Sequence, residues 1–78
     1  MAETTYNGMA FRAKPYGERD DDGLITWLVE YKQAPKLDWG PRGAFYERDG
    51  VFLVHGREYP DAVSALWQHA HFSWHPPR

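Results

Sequence analysis

A chain of 78 residues is long enough for one domain, and most of its large apolar side chains must contribute to a single core. It contains no cysteine, which excludes a disulfide framework, a thiolate metal site and a cysteine nucleophile, and is compatible with a reducing cytoplasm. Nine Lys and Arg against eleven Asp and Glu give a formal charge of −2, so there is no global basic field for nucleic-acid phosphates.

The sequence shows neither a membrane span nor an export signal. No apolar run approaches the roughly 18 residues that a spanning helix needs. The first residues, "MAETTYNG", lack a basic segment followed by an apolar one. We expect residues 1–78 to form one domain in the host-cell cytoplasm, without membrane contact, with a short flexible N-terminus over 1–5 and a tail over 74–78.

The first two predicted strands form a hairpin with an acidic tip. Apolar residues alternate with polar or small ones over 6–14, "YNGMAFRAK", as in a half-buried strand, and Pro15 ends this run. The segment 24–32, "LITWLVEYK", alternates in the same way. The loop between them carries four acids, which are Glu18, Asp20, Asp21 and Asp22.

A second hairpin has the clearest local signal. It follows an irregular connection over 33–43, "QAPKLDWGPRG". Asp49 and Gly50 then lie between the strand-like runs "AFYER" and "VFLVH", as a two-residue type I′ turn requires. This turn predicts a register in which Tyr46 pairs with Leu53 and Arg48 with Val51 on one face, and Phe45 with Val54 and Glu47 with Phe52 on the other.

The last part of the chain changes to helical spacing. Pro60 suits a first helical position, and Asp61 suits the positive N-terminal end of a helix. The apolar residues that recur at helical spacing are Ala62, Val63, Leu66 and Ala70. We therefore expect an α+β fold: a four-stranded antiparallel sheet (β-β-β-β-α) with one C-terminal helix packed on one face.

The run of three aspartates, Asp20 to Asp22, matches no ligand or catalytic pattern. An EF-hand loop that began at Asp20 would need a glutamate at its twelfth position, which is Tyr31. Adjacent acids on a hairpin tip point apart, whereas catalytic carboxylates must converge in a cleft. Two interpretations remain open: a solvated turn that opposes aggregation, or a negative patch that attracts a basic partner.

Other reactive side chains give no enzyme signature. The two serines lie outside any nucleophile-elbow sequence, and "GPRG" lacks the lysine of a P-loop. No paired zinc-ligand spacing joins the four histidines, and the two within the predicted helix suit its C-terminal end; the four are His55, His69, His71 and His75. We predict no catalytic residue, no metal and no cofactor.

Aromatic residues make up 17% of the chain and are its most informative excess. Tyr, Trp and Arg are enriched at binding hot spots. Trp39 and Trp74 lie near Gly or Pro, so each could pack in the core or contact a partner. Stacking of single-stranded nucleic acid on such rings would need a positive groove, and the basic residues are scattered along the sequence. Direct nucleic-acid binding is therefore disfavoured.

A small cysteine-free chain with an antiparallel meander, a D-G turn and the closing segment "GREYPDAVSALW" resembles many small phage-encoded proteins, in particular anti-CRISPR inhibitors of type I systems. The resemblance covers most of the chain in architecture and includes no diagnostic motif. It implies a stoichiometric inhibitor that binds the Cascade surveillance complex and blocks target DNA binding, with carboxylates in place of DNA phosphates. The partner-binding residues that we predict are Glu18, Asp20, Asp21, Asp22, Glu30, Glu47, Trp39 and Trp74.

We therefore expect a non-enzymatic protein-binding inhibitor whose partner is a host protein complex with a basic nucleic-acid-binding surface. A strong DNA mimic would be more acidic than −2, so a local patch must replace a global field. The alternative is a small nucleic-acid-binding phage regulator that contacts the phosphate backbone through Arg12, Lys14, Lys32 and Arg42. A homodimer could also form through an exposed sheet face that bears Tyr46, Val51 and Leu53.

Overall fold

The computed structural model describes residues 1–76, which form a six-stranded antiparallel sheet with one helix packed on one face. The elements are β1 (Ala2–Tyr6), β2 (Met9–Tyr16), β3 (Ile25–Lys32), β4 (Gly40–Arg48), β5 (Val51–Val54), β6 (Arg57–Tyr59) and α1 (Ala62–Trp74). Each strand pairs with its neighbours in sequence. The α+β class with a C-terminal helix is confirmed, whereas the predicted number of four strands is wrong.

Three tight turns account for the additional strands. Asn7, Asp49 and His55 have φ angles of 50°, 52° and 49°, and each precedes a glycine with positive φ, which is the backbone of a type I′ turn. The Asp49 turn and its register, with Tyr46 opposite Leu53, are confirmed. The turns at Asn7 and His55 add β1 and β6 at the two edges of the sheet. β1 occupies residues 2–5 of the predicted flexible N-terminus together with Tyr6, and the Asn7 turn interrupts the strand that we predicted over 6–14.

Two strands extend past the ends that we predicted, because their prolines lie where no hydrogen bond is lost. β1 begins at Ala2, which is opposite Ala13. Pro15 of β2 therefore has no neighbouring strand on the side to which its nitrogen points, and β2 continues to Tyr16. The segment expected to be an irregular connection up to residue 43 contains the start of β4. A register shift between Val29 and Glu30 places Pro41 in the ladder opposite Glu30.

Asp61 is the N-cap residue of the helix. Its carboxylate accepts a hydrogen bond of 2.7 Å from the Ser64 backbone N–H, and this bond lowers the pKa of Asp61. Val63, predicted to lie in the apolar stripe, is 50% exposed because the buried face is centred elsewhere, on Ala65, Leu66, His69, Ala70 and Phe72. The helix includes Trp74, and the last two residues of the predicted tail, 77 and 78, lie outside the described residues.

The core lies between α1 and one face of the sheet. Phe11, Val29 and Phe45 from the sheet pack with Leu66 of the helix, and all four are almost completely buried. Within residues 1–76, no helix is long and apolar enough to cross a membrane. The other face, which we call the open face, is not covered by any element of the described chain; its side chains include Arg12, Lys14, Tyr16, Thr26, Leu28, Glu30, Lys32, Ala44, Tyr46 and Leu53.

Candidate functional site

The meander brings seven acidic side chains to one end of the sheet, which we call the acidic end. The β2–β3 loop, the β4–β5 turn and the β6–α1 connection all lie there, because β2, β4 and β6 run in the same direction. Two arginines, Arg19 and Arg48, accompany these acids, so the formal charge of the segments 17–24, 47–51 and 60–61 is −5. The acids are Glu18, Asp20, Asp21, Asp22, Glu47, Asp49 and Asp61.

The opposite end of the sheet is basic. The β1–β2 turn, the β3–β4 loop with its flanking residues and the β5–β6 turn lie there, and the last turn of α1 contacts Arg42 and Arg57 at this end. The segments 32–42 and 55–57 bring one acid, Asp38, and four bases, which are Lys32, Lys36, Arg42 and Arg57. Because charges of opposite sign are concentrated at the two ends, the protein has a direction along which a charged partner would orient it.

The carboxylates of the β2–β3 loop differ in what they contact. Asp20 Oδ1 accepts hydrogen bonds from the backbone N–H groups of Asp22 and Leu24, both at 2.9 Å. The Asp20 backbone N–H also donates to the carbonyl of Leu24 at 2.9 Å. Asp20 therefore holds the loop in shape. The side chains of Glu18, Asp21 and Asp22 are exposed and form the outward-facing part of the acidic end.

Two other predicted carboxylates are already bonded within the fold. Glu47 Oε1 accepts a hydrogen bond of 3.0 Å from the indole N–H of Trp27 on the helix side of the sheet. Glu30 Oε1 lies 3.0 Å from Arg12 Nε on the open face, and about a third of each side chain of this ion pair is exposed. In each of these carboxylates one oxygen, Oε1, is thus already engaged within the fold.

The two predicted tryptophans lie away from the acidic end. Trp39 is half-buried at the basic end of the open face, with the Arg12 guanidinium 4.1 Å and the Lys32 ammonium 5.3 Å from its ring centroid. Its side chain lines two shallow grooves of about 410 and 340 Å³. Trp74 is 44% exposed at the end of α1, with the Arg42 guanidinium 5.0 Å from its ring. The structure therefore does not unite these rings with the loop carboxylates.

Apolar side chains border the acidic end on the open face. Tyr16 lies opposite Thr26, Thr26 opposite Tyr46, and Tyr46 opposite Leu53, which makes one row across four strands. Tyr16 and Tyr46 are 64% and 45% exposed. We call Tyr16, Leu28, Tyr46 and Leu53 the apolar patch. We did not predict Tyr16 and Leu28 as candidate site residues from the sequence. Tyr16 could have been found, because it continues the series of alternate residues Arg12 and Lys14 on one face of β2, beyond Pro15.

Two of the four histidines, His69 and His71, make contacts within the fold. Within the described residues, no group of three or more His, Asp or Glu side chains is placed to hold a metal ion. Burial lowers the pKa of His69 to about 4, with the charges of His55 and Arg42 acting in the same direction, so His69 is a neutral core residue. Its Nδ1 has no hydrogen-bond partner in the described part of the chain. His71 Nδ1 lies 3.0 Å from the hydroxyl of Tyr6.

The geometry thus points to one extended surface, in which exposed carboxylates at the acidic end adjoin the apolar patch. Comparison of the chain with family models, with curated proteins and with solved structures found no significant match.

Proposed function

We propose that the protein is a non-enzymatic inhibitor that binds a basic surface of a host protein complex through its acidic end. The observation that carries this proposal is the charge distribution: one end of the sheet has a formal charge of −5, although the whole chain has −2. A concentrated field of this kind accelerates encounter with a positively charged surface and orients it. A modest net charge is therefore compatible with strong local steering.

A complex that binds nucleic acid is the partner class that suits this surface. Such a complex must keep a positive surface for phosphates, and the exposed carboxylates of Glu18, Asp21 and Asp22 can occupy the positions of those phosphates. Our specific proposal, based on the resemblance to anti-CRISPR inhibitors, is the type I Cascade complex in the host cytoplasm. Occupation of its DNA-binding surface would block target DNA binding.

The apolar patch supplies the contact area that charges alone do not. Interfaces combine a desolvated centre, enriched in aromatic residues, with a polar rim. Tyr16 directly precedes the acidic loop, and Tyr46 is in the same row of the sheet. A partner that meets the loop carboxylates can therefore also cover both tyrosine rings.

Charge reversal at the loop tests the proposal. The change of choice is Asp22→Lys, because the Asp22 side chain is exposed, whereas a change at Asp20 would remove the bonds that hold the loop. We expect about tenfold weaker binding to purified Cascade, mainly through a slower association rate, and recovery of DNA binding by Cascade. Biolayer interferometry and a DNA mobility-shift assay measure the two effects.

A matched control lies at the other end of the molecule. Asp38→Lys changes the net charge by the same amount, also at an exposed position, but in the β3–β4 loop. We expect it to leave the affinity unchanged within about twofold. Equal affinities of the Asp22→Lys variant and the natural chain would contradict the role of the acidic end. Absence of any binding to Cascade would contradict the choice of partner.

A second function is favoured by one specific observation: Arg12, Lys14 and Lys32 share the open face, and two of them, Arg12 and Lys32, lie over Trp39. A nucleic-acid-binding module would use these bases against phosphates and the ring for stacking. Arg42, the fourth predicted contact, lies on the helix side over Tyr31, with its guanidinium 5.1 Å from that ring. A mobility-shift titration with duplex and single-stranded DNA tests this alternative, which requires an affinity that falls steeply with salt.

A further inference from the structure

The outer edge of β1 lacks the features that usually protect a sheet edge. β1 is five residues long, pairs with β2 in an uninterrupted register, and contains no proline and a single charged residue, Glu3. The other edge strand, β6, has only three residues. Short strands, prolines and bulges are the usual means of preventing edge pairing, so β6 is protected and β1 is open.

Two residues of β1 direct their backbone groups away from the sheet. Tyr6 and Met9 flank the two-residue turn at Asn7, and residues in that position exchange both of their backbone hydrogen bonds. The same holds for every second pair along the ladder. The N–H and C=O groups of Glu3 and Thr5 therefore point outward from the edge, and both side chains are exposed.

We infer that a second copy of this chain pairs with this edge, with the two β1 strands antiparallel across a two-fold axis at Thr4. In this register Glu3 of one copy is opposite Thr5 of the other, and each such pair exchanges both backbone hydrogen bonds. A register centred on Glu3 would place two carboxylates directly opposite each other. A register centred on Thr5 would place Glu3 opposite Asn7, which belongs to the turn. Charge and turn geometry thus select Thr4.

The helix adds apolar surface next to the same edge. Trp67 of α1 contacts Tyr6 of β1 edge to face, with 5.4 Å between ring centroids, and is 38% exposed. Val63 lies one helical turn earlier on the same side and is 50% exposed. In this register Tyr6 is opposite Ala2 of the other copy, so Trp67 of each copy lies beside β1 of the other. Self-complementary contact of this kind is what a two-fold dimer requires.

A proline substitution tests the edge directly. Thr5→Pro removes an outward-pointing N–H and leaves the β1–β2 ladder intact, because the lost donor is not used within the chain. We expect the natural chain to reach twice the mass of a single chain in multi-angle light scattering over a concentration series, and the variant to stay at one. Circular dichroism of the variant checks that the fold is kept.

A matched pair of charge variants tests the register and does not depend on tolerance of proline. In the proposed dimer, Thr5→Glu faces Glu3 of the other copy, whereas Thr5→Lys faces it with opposite charge. We expect dissociation constants about tenfold apart, with the Lys variant tighter. A monomer at every concentration overturns the inference, as does a dimer that withstands Thr5→Pro or equal affinity of the two charge variants. These measurements use the purified protein without a partner, so their result is independent of the proposed function.

Discussion

The imidazole of His69 lies against the backbone of Gly43, at the point where β3 and β4 change register. A Cβ atom at position 43 would be 3.1 Å from His69 Nε2, and the φ angle of Gly43 is 131°. The sheet therefore has a gap at this point that a helix side chain fills. The missing side chain and the bulge are two parts of one packing arrangement.

Gly43→Ala should lower the free energy of unfolding by about 1–3 kcal/mol, because the new methyl group meets His69 and the backbone conformation disfavours a side chain. Gly40→Ala is the matched control in the same strand. A Cβ there has no neighbour within 4 Å, so we expect a change within about 0.5 kcal/mol. Urea unfolding measures both. Similar losses in the two variants would show that His69 does not limit the space at position 43.

The free energy of unfolding of the protein should fall in mild acid because His69 is buried in its neutral form. Its pKa of about 4 in the folded state is below its ordinary value of 6.5, so the unfolded chain takes up a proton first. The stabilising contribution is present above about pH 6.5 and is lost as the pH falls towards 4, by about 2–3 kcal/mol at pH 4.5. Urea unfolding at pH 7 and pH 4.5 should show a smaller difference for His69→Gln. The same pH dependence in both proteins would contradict this assignment.

Glu47 should matter to stability more than to binding. Trp27 is 8% exposed, and its indole N–H donates to Glu47. Glu47→Ala leaves this donor without an acceptor and should cost about 1–2 kcal/mol, whereas Glu47→Gln keeps an oxygen acceptor and should cost less. Thermal unfolding of the two variants checks this order. If Gln is as harmful as Ala, the charge of Glu47, and not the hydrogen bond, is what the fold requires.

The hydrogen bond between Tyr6 and His71 joins positions 65 apart in the chain. Tyr6→Phe removes the hydroxyl and keeps the ring contact with Trp67, so we expect a loss of about 0.5–1.5 kcal/mol. Tyr46→Phe makes the same chemical change on the open face, where the side chain is 45% exposed, and should have almost no effect. Chemical denaturation of the pair isolates the value of the bond.

Local signals explain which parts of the fold could be predicted. The Asp49-Gly50 turn and its register depend on adjacent residues, and both were predicted correctly. Asn7-Gly8 is an equally strong turn signal, but the weak alternation of "AETTY" concealed β1. β6 has only three residues, and its turn is formed by His55-Gly56, which lacks the Asn-Gly or Asp-Gly signature of a type I′ turn.

The candidate site was predictable only where its residues are contiguous. The loop acids were visible in the sequence, but the convergence of Glu47, Asp49 and Asp61 on the same end depends on strand order. The internal bonds of Glu30 and Glu47 join residues 18 and 20 positions away, so only tertiary packing reveals that these carboxylates are engaged.

The strand order also has a kinetic consequence. Each strand can pair with the strand that precedes it in the chain, so only short loops have to close while the sheet forms. Short loops cost little entropy, which favours rapid folding. Docking of α1 onto β1 joins the last and the first elements of the chain, and we expect it to be the last step of folding. In the reverse direction, undocking of the helix would be the first route by which water reaches Phe11 and Phe45.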